Sequence, residues 1–162
     1  MKKFIYILFC FCLLAMTNTD KVESKSNKIL AKTFKEIVIE KNALSIPIKN
    51  KDEKWHELSN KATNERLGFV ETTSAVGRFD KFDFMVLFNP DKSINKVSVL
   101  IYREDHGGEI VSPRWLRQFE GKTIKDVSNI SRDINGISGA TMSCNAITKG
   151  IKQSLITIQK VK

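Results

Sequence analysis

Hydrophobic and polar positions alternate most clearly in the middle of the chain. Residues 82–88 (FDFMVLF) set Phe82, Phe84, Val86 and Phe88 on one face at a period of two, the pattern of a strand with one side in a core. Residues 94–104 (INKVSVLIYRE) repeat it with Val97, Val99 and Ile101. Between them lies NPDKS, in which Pro90 presets φ and Asn89 and Asp91 tolerate turn geometry, so the two runs predict an antiparallel hairpin. Upstream, residues 67–76 (LGFVETTSAV) are rich in β-formers and predict a further strand.

After the hairpin the period changes. Ser112 followed by Pro113 is an N-cap with proline at the first helical position. PRWLRQFEG is then a short helix with Trp115, Leu116 and Phe119 turned inward and Gly121 ending it. A last helix is expected from about Met142 to Gln159, because Ile147, Ile151, Leu155 and Ile158 recur at helical spacing. Ala146, Gly150 and Ser154 form a small-residue stripe beside them, suited to close packing on a sheet. Toward the N-terminus, residues 20–28 (DKVESKSNK) read as a polar tether and residues 29–37 as weakly helical. Residues 45–69 mix Pro47, a charged stretch and Trp55 and give no firm assignment. No internal repeat or low-complexity segment is present. The expected fold is α+β: a twisted, mostly antiparallel sheet with packed helices.

Composition adds a compartment. The chain has 162 residues, 41% hydrophobic and 28% charged, enough for one domain with a modest core. It opens with MKK and an apolar run over residues 4–16, shorter than the roughly 20 residues that span a bilayer. Ala15 and Thr17 suit cleavage near Asn18, so residues 1–17 read as a signal peptide, with an uncleaved membrane anchor as the alternative. Residues 18–28 would be the tether and 29–162 a single domain. Removing Lys2 and Lys3 lowers the net charge from +9 to about +7, which favours anionic membranes or acidic partners. The lysines are scattered, not bunched with aromatics, which argues against nucleic acid. Loss of Cys10 and Cys12 with the signal leaves Cys144 alone, so no internal disulfide is expected and the fold must rest on packing.

The candidate chemistry sits at residues 135–147, NGISGATMSCNAI. Ser138, Gly139, Ala140 and Thr141 run straight into the last predicted helix. The first N–H groups of a helix lack partners and carry partial positive charge, which stabilises a phosphate. The small residues let a large ligand approach the backbone, and Thr141 presents a hydroxyl where that phosphate would sit. Two readings remain open on spacing alone: a phosphate-bearing ligand at this turn, or a glycine turn followed by a Ser or Thr cap. No zinc pattern, nucleophilic triad or nucleotide-hydrolase phosphate loop is present. The sequon at Asn129 carries no weight in a bacterial-looking secreted chain.

The stretch ISGATMS with its following amphipathic helix resembles the attachment motif of the FMN-binding domain family. That family includes peripheral flavoprotein subunits of sodium-pumping NADH:quinone reductases and related ferredoxin-linked complexes, and stand-alone exported proteins. Its pattern is Asp, two residues, Ser or Thr, Gly, Ala, then Thr or Ser. The resemblance implies that Thr141 is esterified to the phosphate of FMN by a dedicated flavin transferase that uses FAD and a divalent metal. Ser138, Gly139 and Ala140 are the matching motif positions, and FMN would lie at the N-terminus of the last helix. LGFV, the hairpin, the EDHGGEI loop and WLRQFEGK follow in the family's order, so the resemblance covers roughly residues 55–158. One position departs: Asn135 stands where the pattern has Asp, with Asp133 two residues earlier, which bears on recognition by the transferase.

Around that motif, His106 is a candidate for flavin contact or proton transfer, against a solvated turn residue. Gly107 and Gly108 would let backbone approach the isoalloxazine, against a simple loop. Glu104 and Glu109 frame the same loop or, as the preferred reading, are solvated carboxylates; Trp55 reads as packing, His56 is without a named partner, and Cys144 reads as a small buried residue in preference to a redox thiol. No catalytic acid–base set and no metal ligands are expected. The function implied is an exported electron-transfer module, with a membrane or exported redox partner and no nucleic acid. The alternatives are a non-redox binding or sensory module holding a phosphate-bearing ligand at the same turn, and a reductase with its own soluble acceptor.

Overall fold

The computed structural model describes residues 19–46 and 52–161. The candidate signal at residues 1–17 lies outside them. The chain divides into two compact units, Met1–Glu36 and Ile37–Lys162. In the first, residues 19–34 are helical (α1), so the stretch that reads as a polar tether is a helix. Its residues include no Gly or Pro, and Asp20 and Glu23 lie near its start with Lys28 and Lys32 further on, as the helix dipole favours. Among the described residues, no helix is long and apolar enough to cross a membrane.

The second unit is an α+β fold. Five strands, β1 (Ile39–Ala43), β2 (Lys54–Asn60), β3 (Arg66–Val76), β4 (Lys81–Phe88) and β5 (Ile94–Ile101), form one antiparallel meander in chain order. The expected hairpin is β4–β5. At its turn, Lys92 N–H donates to Asn89 O at 2.9 Å and Asn89 N–H to Ser93 O at 2.9 Å. The left-handed residue there is Lys92 (φ 68°); Asp91 contributes through its carboxylate, which accepts from Ser93 N–H. Gly68 (φ 139°) is required in β3, because a Cβ there would run into the carbonyl of Phe88.

Phe82, Phe84, Val86 and Phe88 all enter the core, as their alternation predicts. Met85 and Leu87, on the opposite side of β4, are also fully buried, so this central strand is covered on both faces. The main core lies between the sheet and the C-terminal segments. These are α2 (Pro113–Leu116), continued by a 3-10 turn Arg117–Phe119, then α3 (Ile130–Asp133) and α4 (Thr141–Thr157). Trp115, Leu116 and Phe119 point inward, as do Ile147, Ile151, Leu155 and Ile158. The small-residue stripe lets α4 approach the sheet: a Cβ at Gly150 would stand 2.7 Å from Phe84 Cζ. Trp55 is a packing residue, stacked on Phe88 with centroids 5.7 Å apart, and its indole N–H donates to Glu53 at 2.7 Å.

Candidate functional site

The glycine-rich turn is held at its entry by α2. Trp115 Nε1–H donates to the carbonyl of Asn135 at 2.6 Å, and Asn135 N–H donates to Gln118 Oε1 at 2.9 Å. Asn135 is therefore positioned through its backbone, and its side chain is exposed. Ala140 N–H then closes on Ile137 O at 3.1 Å, and Gly139 adopts φ 83°, a region L side chains avoid. α4 starts at Thr141, and its first backbone bond runs from Cys144 N–H to Ala140 O at 2.9 Å. The N–H groups of Thr141, Met142 and Ser143 precede that bond and face outward along the helix axis, the arrangement that attracts an anion.

The geometry bears on the capping reading of this turn. The N-cap is Ala140, with no side-chain hydrogen bond capping the helix. Thr141 is the first helical residue, is exposed, and its hydroxyl has no hydrogen-bond partner among the described residues. The capping role assigned to a Ser or Thr in the simpler reading is thus not filled by Thr141. Ser138 and Gly139 are exposed beside it, while Ala140 is 3% exposed. A free hydroxyl, unpaired helix N–H groups and an absence of bulk fit a phosphate ester at Thr141.

The loop after β5 abuts this turn. Gly107 (φ 78°) lies against Ala140: a Cβ there would sit 3.4 Å from Ala140 Cβ and 2.9 Å from Tyr102 Oη. Tyr102 is the hub. Its hydroxyl donates to His106 O at 2.7 Å, lies 3.1 Å from Ser143 Oγ and reaches Glu104 Oε2 at 3.5 Å. Burial pushes the Tyr102 phenol above its ordinary range, Ser143 opposes that, and the charge of Glu104 adds to it. Sequence reading gave Tyr102 no role; an aromatic at the end of a strand carries no signal until Ser143 is brought to it from forty-one residues away.

Glu104 is not simply a solvated carboxylate. It accepts the N–H of Phe79 at 2.9 Å and of Asp80 at 3.0 Å, pinning the β3–β4 turn. The N–H groups of Asp80 and Phe79 hold its pKa below the ordinary value. His106 enters this network through its carbonyl, and its imidazole is exposed. Gly108 begins a 3-10 turn, Gly108–Val111, and a Cβ there would meet nothing within 4 Å, so it is less constrained than Gly107. Glu109 is exposed, and its charge raises the pKa values of both Tyr102 and Cys144. Cys144 is buried, and that burial is the main cause raising its thiol, as expected of a packing residue. Among the described residues no cluster of His, Cys, Asp and Glu could hold a metal ion.

Three segments therefore meet at the start of α4: the β3–β4 turn, the loop from Tyr102 to Glu109, and the Ser138–Ser143 turn. The comparisons with known proteins fall on this region. A family model described as an FMN-binding domain matches residues 77–156, from the β3–β4 turn almost to the end of α4. One subunit of the proton-translocating ferredoxin:NAD(+) oxidoreductase complex of Clostridium ljungdahlii is 28% identical over 100 residues. That similarity covers 57% of this chain and 54% of the relative, so the match spans about half of each.

Proposed function

We propose, on the premise that residues 77–156 make this chain a member of the FMN-binding domain family, that it is an exported electron-transfer flavoprotein whose FMN is esterified to Thr141. FMN is the cofactor of the domain. When bound it supplies one- and two-electron chemistry; the chain supplies attachment, orientation and tuning. The observation that carries the attachment is the Thr141 hydroxyl: exposed, unpartnered and first in α4. Esterification from FAD would form the bond from Thr141 Oγ to the FMN phosphorus and break its bond to AMP, with the hydroxyl proton passing to a base of the transferase. The unpaired N–H groups of the first helical turn would stabilise the remaining phosphate charge. Ser138, Gly139 and Ala140 would let the transferase and the ribityl chain approach, and Gly107 would bring the Tyr102 loop against the same turn. An ester suits a carrier outside the cytoplasm, because the cofactor cannot be lost by dissociation. The similarity to a subunit of a ferredoxin:NAD(+) oxidoreductase complex supports a partner of the same redox kind, in a membrane complex or exported.

The test is intact mass after co-expression with a flavin transferase. The wild type should carry an FMN increment and keep its yellow colour through denaturation. Thr141→Ala should carry none while keeping its fold, since Ala140 is the N-cap and Thr141 caps nothing. An FMN increment on the alanine variant would refute the attachment site, and colour lost on denaturation would favour a non-covalent binding module.

A further inference from the structure

The chain contains one Asn–Gly pair, Asn135–Gly136, at the entry to the turn that carries Thr141. Nothing in the fold asks for this glycine. Its backbone lies outside the left-handed region, unlike Gly139 (φ 83°) and Gly107 (φ 78°), and a Cβ there would meet nothing within 4 Å. What the glycine leaves is a peptide nitrogen with no side chain beside it. Among the described residues, that N–H makes no hydrogen bond. Asn135 and Gly136 belong to no helix or strand, so a local rotation there breaks no ladder.

Asn135 has a held backbone and a free side chain. Its N–H donates to Gln118 Oε1 at 2.9 Å, and its carbonyl accepts from Trp115 Nε1–H at 2.6 Å. Its carboxamide is exposed and makes no hydrogen bond among the described residues. The Trp115 contact has a chemical consequence. A proton lost from Gly136 N leaves negative charge shared with the Asn135 carbonyl oxygen, because both atoms belong to one conjugated peptide group. The indole N–H stabilises that charge, as a preorganised donor does at a developing oxyanion. More of the nitrogen is thereby in its reactive form, and its target, Asn135 Cγ, is on the adjoining residue, so attack is intramolecular.

We infer that Asn135 is a self-modifying residue: Gly136 N closes on Asn135 Cγ, and the carboxylate that results sets the pace of flavin attachment at Thr141. The bond from Gly136 N to Cγ forms, the bond from Cγ to the amide nitrogen breaks, and ammonia leaves with the proton of Gly136 N. Water then opens the five-membered imide and returns a proton to the nitrogen. Opening at Cγ gives aspartate and opening at the backbone carbonyl gives isoaspartate; nothing is oxidised or reduced. Either product puts a negative charge on an exposed position where a neutral amide stood. An enzyme that docks on this turn to reach Thr141 gains a charged contact there. The aspartate also supplies the residue that the motif pattern carries at this position. This coupling rests on the proposed attachment at Thr141; the ring closure does not.

The experiment uses the full chain, freshly purified or aged in mildly acidic or mildly alkaline buffer, with circular dichroism confirming the fold throughout. Peptide mass mapping reads the acid at position 135, and released ammonia checks it. The folded wild type should convert, and faster in the alkaline buffer, because the attacking nitrogen must lose its proton. Gly136→Ala and Asn135→Gln should convert severalfold more slowly or not at all. Given FAD and a flavin transferase, aged wild type should gain the FMN mass severalfold faster than fresh protein, while ageing should alter neither variant. A folded chain that keeps Asn135 over a period in which the urea-unfolded chain converts it would overturn the inference. So would conversion that leaves the rate of flavinylation unchanged. Wild type that converts yet bears no FMN on Thr141, fresh or aged, would overturn the attachment and the coupling together, and the mapped conversion tells that failure apart from a failure of ring closure.

Discussion

Substituting Glu71 by Gln should remove a large pH dependence of stability. Glu71 lies in the middle of β3, paired with Trp55 on β2 and Val86 on β4, and is 2% exposed. Its Oε2 has no hydrogen-bond partner among the described residues. Burial pushes its pKa from an ordinary 4.5 up to about 8; Ser154 on α4 opposes the rise and the adjoining Glu53 adds to it. The folded protein thus holds a proton that the unfolded chain releases above pH 4.5. The stability tied to that proton is fully present below the unfolded pKa, declines as pH rises, and is lost by about pH 8. A gap of this size corresponds to a ceiling of about 5 kcal/mol at roughly 1.4 kcal/mol per pKa unit, a large share of the 5–15 kcal/mol typical of a domain. Glutamine keeps the shape and cannot ionise. Urea unfolding of both proteins at intervals between about pH 5 and pH 9 reads the difference directly. The wild type should lose several kcal/mol across that range, and Glu71→Gln should show a much flatter profile and be the more stable protein at the alkaline end. Parallel profiles would mean that Glu71 ionises in the folded state at little cost, by gaining water or a cation, and would refute the argument.

Two further outcomes follow from the packing and the motif. Gly150→Ala gains about 1 kcal/mol of helix propensity but drives a methyl to 2.7 Å from Phe84 Cζ in a full core, where overpacking costs typically 1–3 kcal/mol; urea midpoints should show a net loss that Phe84→Leu relieves when the two changes are combined. Asn135→Asp should raise the flavinylated fraction in a time course with a transferase and leave stability nearly unchanged, because the exposed Asn135 is held through its backbone by Trp115 and Gln118.

The elements legible in the sequence are those with a regular row of apolar side chains facing the main core. β4 and α4 each carry one, and the periods of two and 3.6 appear directly as Phe82, Phe84, Val86, Phe88 and as Ile147, Ile151, Leu155, Ile158, although β4 buries Met85 and Leu87 on its other face as well. β1 and β2 were not legible. β1 is an edge strand with mostly exposed, polar residues, and β2 buries Trp55 and Leu58 on opposite faces, with a register shift after Leu58. Neither has a one-sided pattern to read; their strand state comes from pairing with β3. The helix at residues 19–34 was legible only in its second half, where residues 29–37 read as weakly helical; residues 19–28 are polar enough to read as a tether.

The candidate attachment hydroxyl was legible because its chemistry is local. Small residues, a hydroxyl and a helix start are contiguous, and a peptide-length segment contains them all. Whether Thr141 capped the helix or stood free was not legible, because that depends on which residue begins α4 and on which side chains reach it. The surroundings of the site belong to tertiary structure alone. Tyr102, Ser143, Glu104 and Gly77 come from three separated segments, and each is unremarkable by itself. They form one network because the β3–β4 turn and the loop after β5 emerge at the same end of the sheet, where α4 starts. Glu71 is the sharpest case: as a letter it is a charged residue in a β-rich run, and only the closing of α4 over β3 takes its carboxyl out of water and makes the proton part of the fold.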